Sequence, residues 1–438
     1  MSIFAIFLIC WTTPINISNT PGTNSHSAHI VVSDKQIHVV WDDGIPDIIS
    51  RVLYRCCVND SWLSIDTVVD SLPYYCGLTD IAIDTCGVVH VVWDDTRGNY
   101  DIWWSYHDGE GWSPPVNISN DPRCSFAPKI VVDPSNRLFV FWHDYSGHVW
   151  YTCRDGDTWS TPDSVPVNRY IAWPDVAVDS EGRLHVVWMD YDDYDVYYAM
   201  YDGESWSTPV NISNLEGQSC DPRIAVDSEN RPHVVWEQRS NGYWVYYAYC
   251  DDSGWHMPYC LGYGFRPNIA VDLYNNVHIV WTGEGPELWY TQWDGEAWDS
   301  AIDISGTSSS SLQGDICTDI AGNVYVIWGQ NMGVLERTDI FFSKKIIEGI
   351  EVHPVNNIKI LHLDKRKLKL LLYIPVTCNL NVCITNILGQ KLLDLQFGRN
   401  EEGIHTFVIN VDDLPSGIYF CHIITDDRII ASKKIILW

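Results

Sequence analysis

The chain has 438 residues, 46% hydrophobic and 19% charged, a balance that supports a large buried core and excludes global disorder. Its 22 Trp, 24 Tyr and 11 Phe, with few helix-favouring stretches, point to an all-β chain. With 27 basic against 57 acidic residues the net charge is −30, which repels phosphate backbones and argues against a nucleic-acid partner.

That charge is unevenly placed. Residues 349–438 carry 10 basic and 9 acidic groups, leaving 17 and 48 for residues 1–348, so the first part stands near −31 and the last near +1. The step marks a domain boundary near residue 348, and with the repeat that starts at Trp11 it divides the chain into 1–10, 11–347 and 348–438. In chain order, the apolar run Ile3–Cys10 comes first. It has the length of a secretory h-region and is too short to cross a bilayer as a helix. No Lys or Arg precedes it and no small-x-small cleavage site follows, so residues 1–10 read as a truncated leader.

From Trp11 onward the chain repeats. The strand HVVW stands at 38–41, 90–93, 185–188 and 233–236, with variants FVFW at 139–142, HIVW at 278–281 and YVIW at 325–328. The closing Trp residues recur every 45 to 52 residues, a period that with several short strands per unit predicts a β-propeller. A full unit reads as four strands; in the fourth they are 175–179, 184–188, 195–201 and 206–213, joined by Asp/Gly turns. Seven second strands predict seven blades. The last unit has a third strand at 339–346 and no fourth, whereas Trp11–Asn19 matches the fourth strands at 112–120 and 206–214. Residues 11–19 are therefore expected to close the seventh blade and remove an exposed edge.

Recurrent residues read as architecture. His38, His90, His185, His233 and His278 share one repeat position with Phe139 and Tyr325, and each belongs to a different blade, so they are expected to be packed and hydrogen-bonded rather than metal ligands. The once-per-blade Trp at 11, 62, 112, 159, 206, 255 and 298 is expected in the packing between blades. The sequons at Asn16, Asn117 and Asn211 are repeat grammar as well. The 14 Cys show no metal spacing and no compact framework, so most read as small buried hydrophobes, with a disulfide or two left open in an exported chain.

Function is expected where the repeats disagree. In a four-stranded blade the 2–3 and 4–1 loops share one face, and the tight Asp/Gly turns lie on the other. At the start of the first strands the aligned residues are His29, Asp80, Lys129, Asp175, Arg223, Asn268 and Asp315, all polar, and they are expected to ring the channel mouth. The least repetitive 4–1 loops belong to blades three to six. The candidate ligand-binding set is therefore Arg123, Lys129, Arg169, Trp173, Asp175, Arg223, Glu237, Arg266 and Asn268. Arg, carboxylate and aromatic side chains together suit a polar ring ligand such as a sugar. No cofactor is expected, with one calcium candidate: Asp190, Asp192, Asp193 and Asp195 supply hard oxygen ligands but lack the ordered spacing and Gly of a calcium loop.

The repeat, with turns such as Asp202-Gly203-Glu204-Ser205-Trp206, resembles the sialidase-like and lectin-like propellers of exported bacterial proteins. It departs from the sialidase Asp-box, where Asp and Gly are not adjacent, and no Phe-Arg-Ile-Pro segment occurs near the first blade. The C-terminal region is a sharper match. Asn386-Ile-Leu-Gly389, Gly403–Asn410, Leu414-Pro-Ser-Gly-Ile-Tyr-Phe420 and Lys433–Leu437 resemble the C-terminal sorting domain of the type IX secretion system over about 85 residues. Alternating strands broken by turns predict a small antiparallel, Ig-like sandwich there. The resemblance implies engagement of the secretion machinery, export across an outer membrane, and removal of the domain with release or surface attachment of the body. The expectation is an all-β, monomeric, secreted or surface-held seven-bladed propeller that binds a carbohydrate or other surface ligand without catalysis. The alternative is a sialidase-like or other glycoside hydrolase, which needs a spaced carboxylate pair or a Tyr with its partner.

Overall fold

The computed structural model describes residues 9–33, 36–45, 49–72, 76–95, 100–120, 122–167, 169–333 and 337–347, and in the last region 358–364, 367–374, 378–386, 390–400, 403–411, 414–415, 417–425 and 428–437. Most of the leader expected at 1–10 lies outside the described residues, as do residues 387–389 of the first tail motif. The chain divides into two compact units, one of them Trp11–Ile346 and the other holding Ile347–Trp438.

The larger unit is seven antiparallel sheets, six of them ordered in sequence from an inner to an outer strand. The inner strands Asn24–Ser33, Cys76–Ile83, Ser125–Val132, Ile171–Val178, Gln218–Val226, Phe265–Val271 and Ser311–Thr318 each neighbour the next, and the last neighbours the first. The protein is thus an all-β, seven-bladed propeller. In the seventh sheet the outer position is taken by the start of the chain: Ile15 pairs with Phe342 and Asn16 with Phe341.

The HVVW pattern follows from a strand buried on both faces. Side chains alternate, so Val39 and Trp41 pack toward the seventh blade with Ile327, while Val40 packs toward the second with Val91 and Trp93. The same exchange recurs at every blade interface, and the seven closing Trp residues are among the largest fully buried side chains. Truncating one to Ala would cost about 3–5 kcal/mol.

A second seven-membered series sits further out. The Trp that opens each fourth strand meets an aromatic ring of the preceding blade: Trp62 meets Phe342, Trp112 meets Tyr54, Trp159 meets Trp104, Trp206 meets Tyr151, Trp255 meets Tyr198, Trp298 meets Tyr247 and Trp11 meets Tyr290. Centroid separations run from 4.9 to 5.7 Å in edge-to-face geometry. Trp11 takes its place in that series, and its neighbour Thr12 donates from its backbone to Lys344 O at 2.9 Å.

The tight-turn face is a repeated lattice. Asp133, Asp179, Asp227, Asp272 and Asp319 each accept the backbone N–H groups two and four residues on. Their second oxygens take an Arg or Asn side chain four residues on. Neighbouring turns are joined as well, since Asn230 Oδ1 accepts from both the N–H and hydroxyl of Ser180, and Asn275 Oδ1 does the same for Ser228. The recurrent histidines complete the scheme. His185 bonds Tyr198 and Asp179, and His38 bonds Tyr54, and burial lowers both rings, that of His38 to about 4. Among the described residues eleven cysteines are all free thiols.

The smaller unit pairs a three-stranded sheet (Ile358–Asp364, Lys367–Ile374, Gly403–Asn410) with a four-stranded one (Lys391–Asn400, Cys378–Asn386, Gly417–Thr425, Arg428–Leu437). Leu380, Val382, Ile384 and Ile423 of one sheet share a core with Ile409 of the other, which makes it a β-sandwich.

Candidate functional site

Opposite the tight turns, every inner strand carries a bulge at its mouth end. Its register to the second strand slips, for example between Phe126 and Lys129, Ala172 and Asp175, Cys220 and Arg223, and Phe265 and Asn268. In six blades the bulged residue is left-handed and not Gly: Ser27 (φ 46°), Ala127 (52°), Trp173 (55°), Asp221 (48°), Arg266 (50°) and Gln313 (34°). That conformation costs a side-chain-bearing residue about 1–2 kcal/mol, and a bulge of this kind re-aims its side chain.

Carboxylates from the preceding blade pin two of these bulges. Asp94 Oδ2 accepts the Ala127 N–H at 2.9 Å, and Glu237 Oε2 accepts the Arg266 N–H at 3.1 Å. Gly77 is required at its place, because a Cβ there would overlap the Asp94 carboxylate. Burial pushes the Asp94 carboxyl up to about 7, against the backbone N–H groups of Ala127, Leu78 and Gly77, which favour its charge.

Just below the bulges the seven aligned inner-strand residues form a ring of nearly alternating charge. His29 Nδ1 lies 3.4 Å from Asp80 and 3.3 Å from Asp315, and Lys129 Nζ lies 4.0 Å from both Asp80 and Asp175. Asn268 donates to Asp315 at 2.6 Å. Three of the carboxylates also reach across to the next blade: Asp80, Asp175 and Asp315 accept the N–H of Ile130, Ile224 and Ile30. Burial raises the Asp175 carboxyl even though Lys129 and Arg223 oppose it, whereas Asp315, which burial would also raise, is held low mainly by His29.

Above this ring opens a cavity of about 800 Å³, toward the upper end of the ~300–1,000 Å³ usual for ligand sites. One arc of its wall is aromatic. Phe126 packs on Tyr100, Tyr145 and His143, with ring centroids 5.1, 4.5 and 5.9 Å away. Trp173 lies 5.1 Å from His143 and donates its indole N–H to the Tyr191 hydroxyl at 3.3 Å, and Tyr191 meets Tyr194 at 5.9 Å. Several of these rings keep a free face: Tyr145 is 67% exposed and Trp173 36%. The next arc, from blades five and six, presents Arg223, Arg239 and Arg266 with Asp221.

Of the residues expected at the site, Lys129, Trp173, Arg223, Arg266 and Asn268 line this cavity. Asp175 lies beneath it in the charge ring. The structure gives the others different employment. Arg123 pairs with Asp144 at 3.3 Å and stacks over Trp150, and Arg169 pairs with Asp190, Asp192 and Asp193 and stacks on Tyr197. Glu237 is buried between the Arg239 guanidinium and the Arg266 backbone. The calcium candidate is divided likewise: three of its carboxylates converge on Arg169, and Asp195 bonds Asn211 and Ser213 instead. Among the described residues no group of three or more His, Cys, Asp or Glu side chains is arranged to hold a metal ion. Sequence reading passed over Tyr100, Phe126, His143, Tyr145 and Gln313. The available signal was Phe126-Ala-Pro128, which shares its residue-before-proline bulge with Trp173-Pro174, Asp221-Pro222 and Arg266-Pro267.

Fold and mouth together define an exported seven-bladed propeller with a ligand-sized cavity at one end of its channel. The export part is specific: residues 368–437 match the secretion system C-terminal sorting domain, so the protein is delivered by the type IX system to the cell surface or beyond. Among solved structures, the BP39L lectin of Burkholderia pseudomallei aligns with a TM-score of 0.60 at 13% identity, over 75% of this chain and 97% of its own. A fungal alcohol oxidase in complex with copper aligns at 0.57 and 11%, over 98% and 99%, and the polysaccharide lyase Uly1 at 0.53 and 12%, over 74% and 90%. At these identities the likeness is one of fold alone. No curated protein matches the chain.

Proposed function

We propose that the protein is a secreted, monomeric, non-catalytic propeller that binds a glycan in the mouth cavity between blades three and six. The observation that carries this reading is the continuous aromatic arc from Tyr100 to Tyr194, held in place by its own ring contacts beside a row of arginines. Sugars present apolar C–H faces that stack on such rings and hydroxyls that bond to a charged rim. The fold shared with a lectin is consistent with it. Glycan-array binding by the full chain tests the reading. Trp173→Ala and Arg223→Ala should each weaken binding about tenfold or more while the melting temperature stays almost unchanged. Full binding by both variants would place the site elsewhere.

Glycan cleavage is the second reading. The observation favouring it is His143, a cavity-wall imidazole that burial lowers to about 4, so that at pH 7 it is neutral and has a nitrogen lone pair able to accept a proton, although as a weak base. A hydrolase would instead draw on Asp94 and Asp221, the two carboxylates of the wall. Product formation from any polysaccharide, abolished by His143→Ala or by Asp94→Asn in a folded protein, would replace binding with catalysis.

A further inference from the structure

We infer that the glycan is acidic, a saccharide bearing carboxylate or sulfate groups, and that Arg223 and Arg266 receive those groups; the inference rests on the glycan reading above. The body of the protein stands near −31, so an arginine within it has carboxylates to spare. Nine of the twelve described propeller arginines accordingly form an ion pair with one. Among the described residues three do not: Arg55, Arg223 and Arg266. Arg55 is satisfied by the carbonyls of Leu63 and Ile17, away from the cavity. The other two both stand in the cavity wall.

The local construction keeps them unpaired. Glu237 touches Arg266 only through the backbone: one of its oxygens is taken by the Arg239 side chain at 2.6 Å and the other by the Arg266 backbone N–H at 3.1 Å. The carboxylate therefore holds the left-handed bulge that presents Arg266 and leaves the guanidinium for something else. Arg223 donates to the carbonyl of Pro222 at 2.8 Å and acts on Asp175 only from beyond ion-pair distance. Lys129, by contrast, is shared between Asp80 and Asp175 and has no such surplus. A guanidinium offers paired N–H donors in the geometry that carboxylate and sulfate oxygens accept. Arg223 and Arg266 belong to the two blades that follow Trp173 and line the same cavity, so a saccharide chain that fills it meets the indole and both guanidinium groups. The remote acidic surface does not forbid this, since charges further than about 8 Å are largely screened at physiological ionic strength.

Titration of the full chain with three oligosaccharides of matched length tests the inference: oligogalacturonate, sulfated dextran and unmodified dextran. At least one anionic probe should bind about tenfold tighter than the neutral one, and Arg266→Gln or Arg223→Gln should each remove most of that advantage. Arg266→Lys, which keeps the charge but not the paired donors, should fall between. Preference for oligogalacturonate assigns a carboxylate, and preference for sulfated dextran a sulfate. Neutral dextran bound as tightly as either anionic probe, or an anionic preference untouched by both Gln variants at unchanged melting temperature, overturns the acidic assignment and leaves glycan binding standing. A full array with no glycan retained overturns both.

Discussion

The two ends of the propeller are built on opposite plans. At the tight-turn end, Asp133, Asp179, Asp227, Asp272 and Asp319 repeat one set of bonds almost without variation, and each carboxylate is spent on its own turn. At the mouth, one left-handed backbone device recurs in six blades, but the residue it displays changes from Ser27 to Ala127, Trp173, Asp221, Arg266 and Gln313. Repetition of side chains marks where the fold holds itself together. Repetition of backbone geometry with changing side chains marks where it can present different chemistry at no architectural cost.

The sharpest test of that contrast is Asp227→Ala. The carboxylate is 4% exposed, bonds the backbone of Glu229 and Arg231 and the Arg231 guanidinium, and lies 3.4 Å from His233 Nε2, so its loss should cost about 3 kcal/mol or more while mouth binding is unchanged. Burial alone would raise this carboxyl, but hydrogen bonds from His233 and Arg231 outweigh it and hold it at about 2 against an ordinary 3.8. Its contribution is therefore whole above about pH 4 and is lost as pH falls toward 2, where wild-type and variant melting temperatures should converge. A smaller effect separates backbone from side chain at the mouth. Trp173→Gly should melt higher than Trp173→Ala, by about 1 kcal/mol of stability, because φ of 55° suits glycine and strains alanine. Equal melting would mean that the bulge carries no strain. The smallest expected effect is none: chelation of divalent ions should leave melting and binding unchanged, since Asp190, Asp192 and Asp193 already converge on the Arg169 guanidinium. A drop in either on chelation would restore calcium to the loop.

The same contrast governs what the sequence made legible. Seven blades could be counted because a strand buried on both faces admits few residues, and HVVW is nearly the only solution at each interface. Trp173, Arg223 and Arg266 stood out because they break the repeat. Arg123 and Arg169 broke it too, yet a loop rich in Asp satisfies its own arginine before any ligand can, as the run Asp190–Asp195 does for Arg169. His143 was missed because it follows the HVVW-type strand directly, at the position of Asp94 in the second blade and Glu237 in the fifth. Only the bulge shows that this position faces the mouth.

The seventh sheet also sets an order of events. Hydrogen bonds between Thr12 and Ser343 join residues 331 apart, so the circle cannot close until nearly the whole propeller has been made. Contacts of such separation form late and slowly. Until then the strand Thr338–Ile347 keeps an unpaired edge that would accept the same short segment from another copy of the chain. Refolding at high concentration should therefore yield strand-exchanged oligomers beside the monomer, in proportion to how often a neighbour arrives before the chain's own beginning.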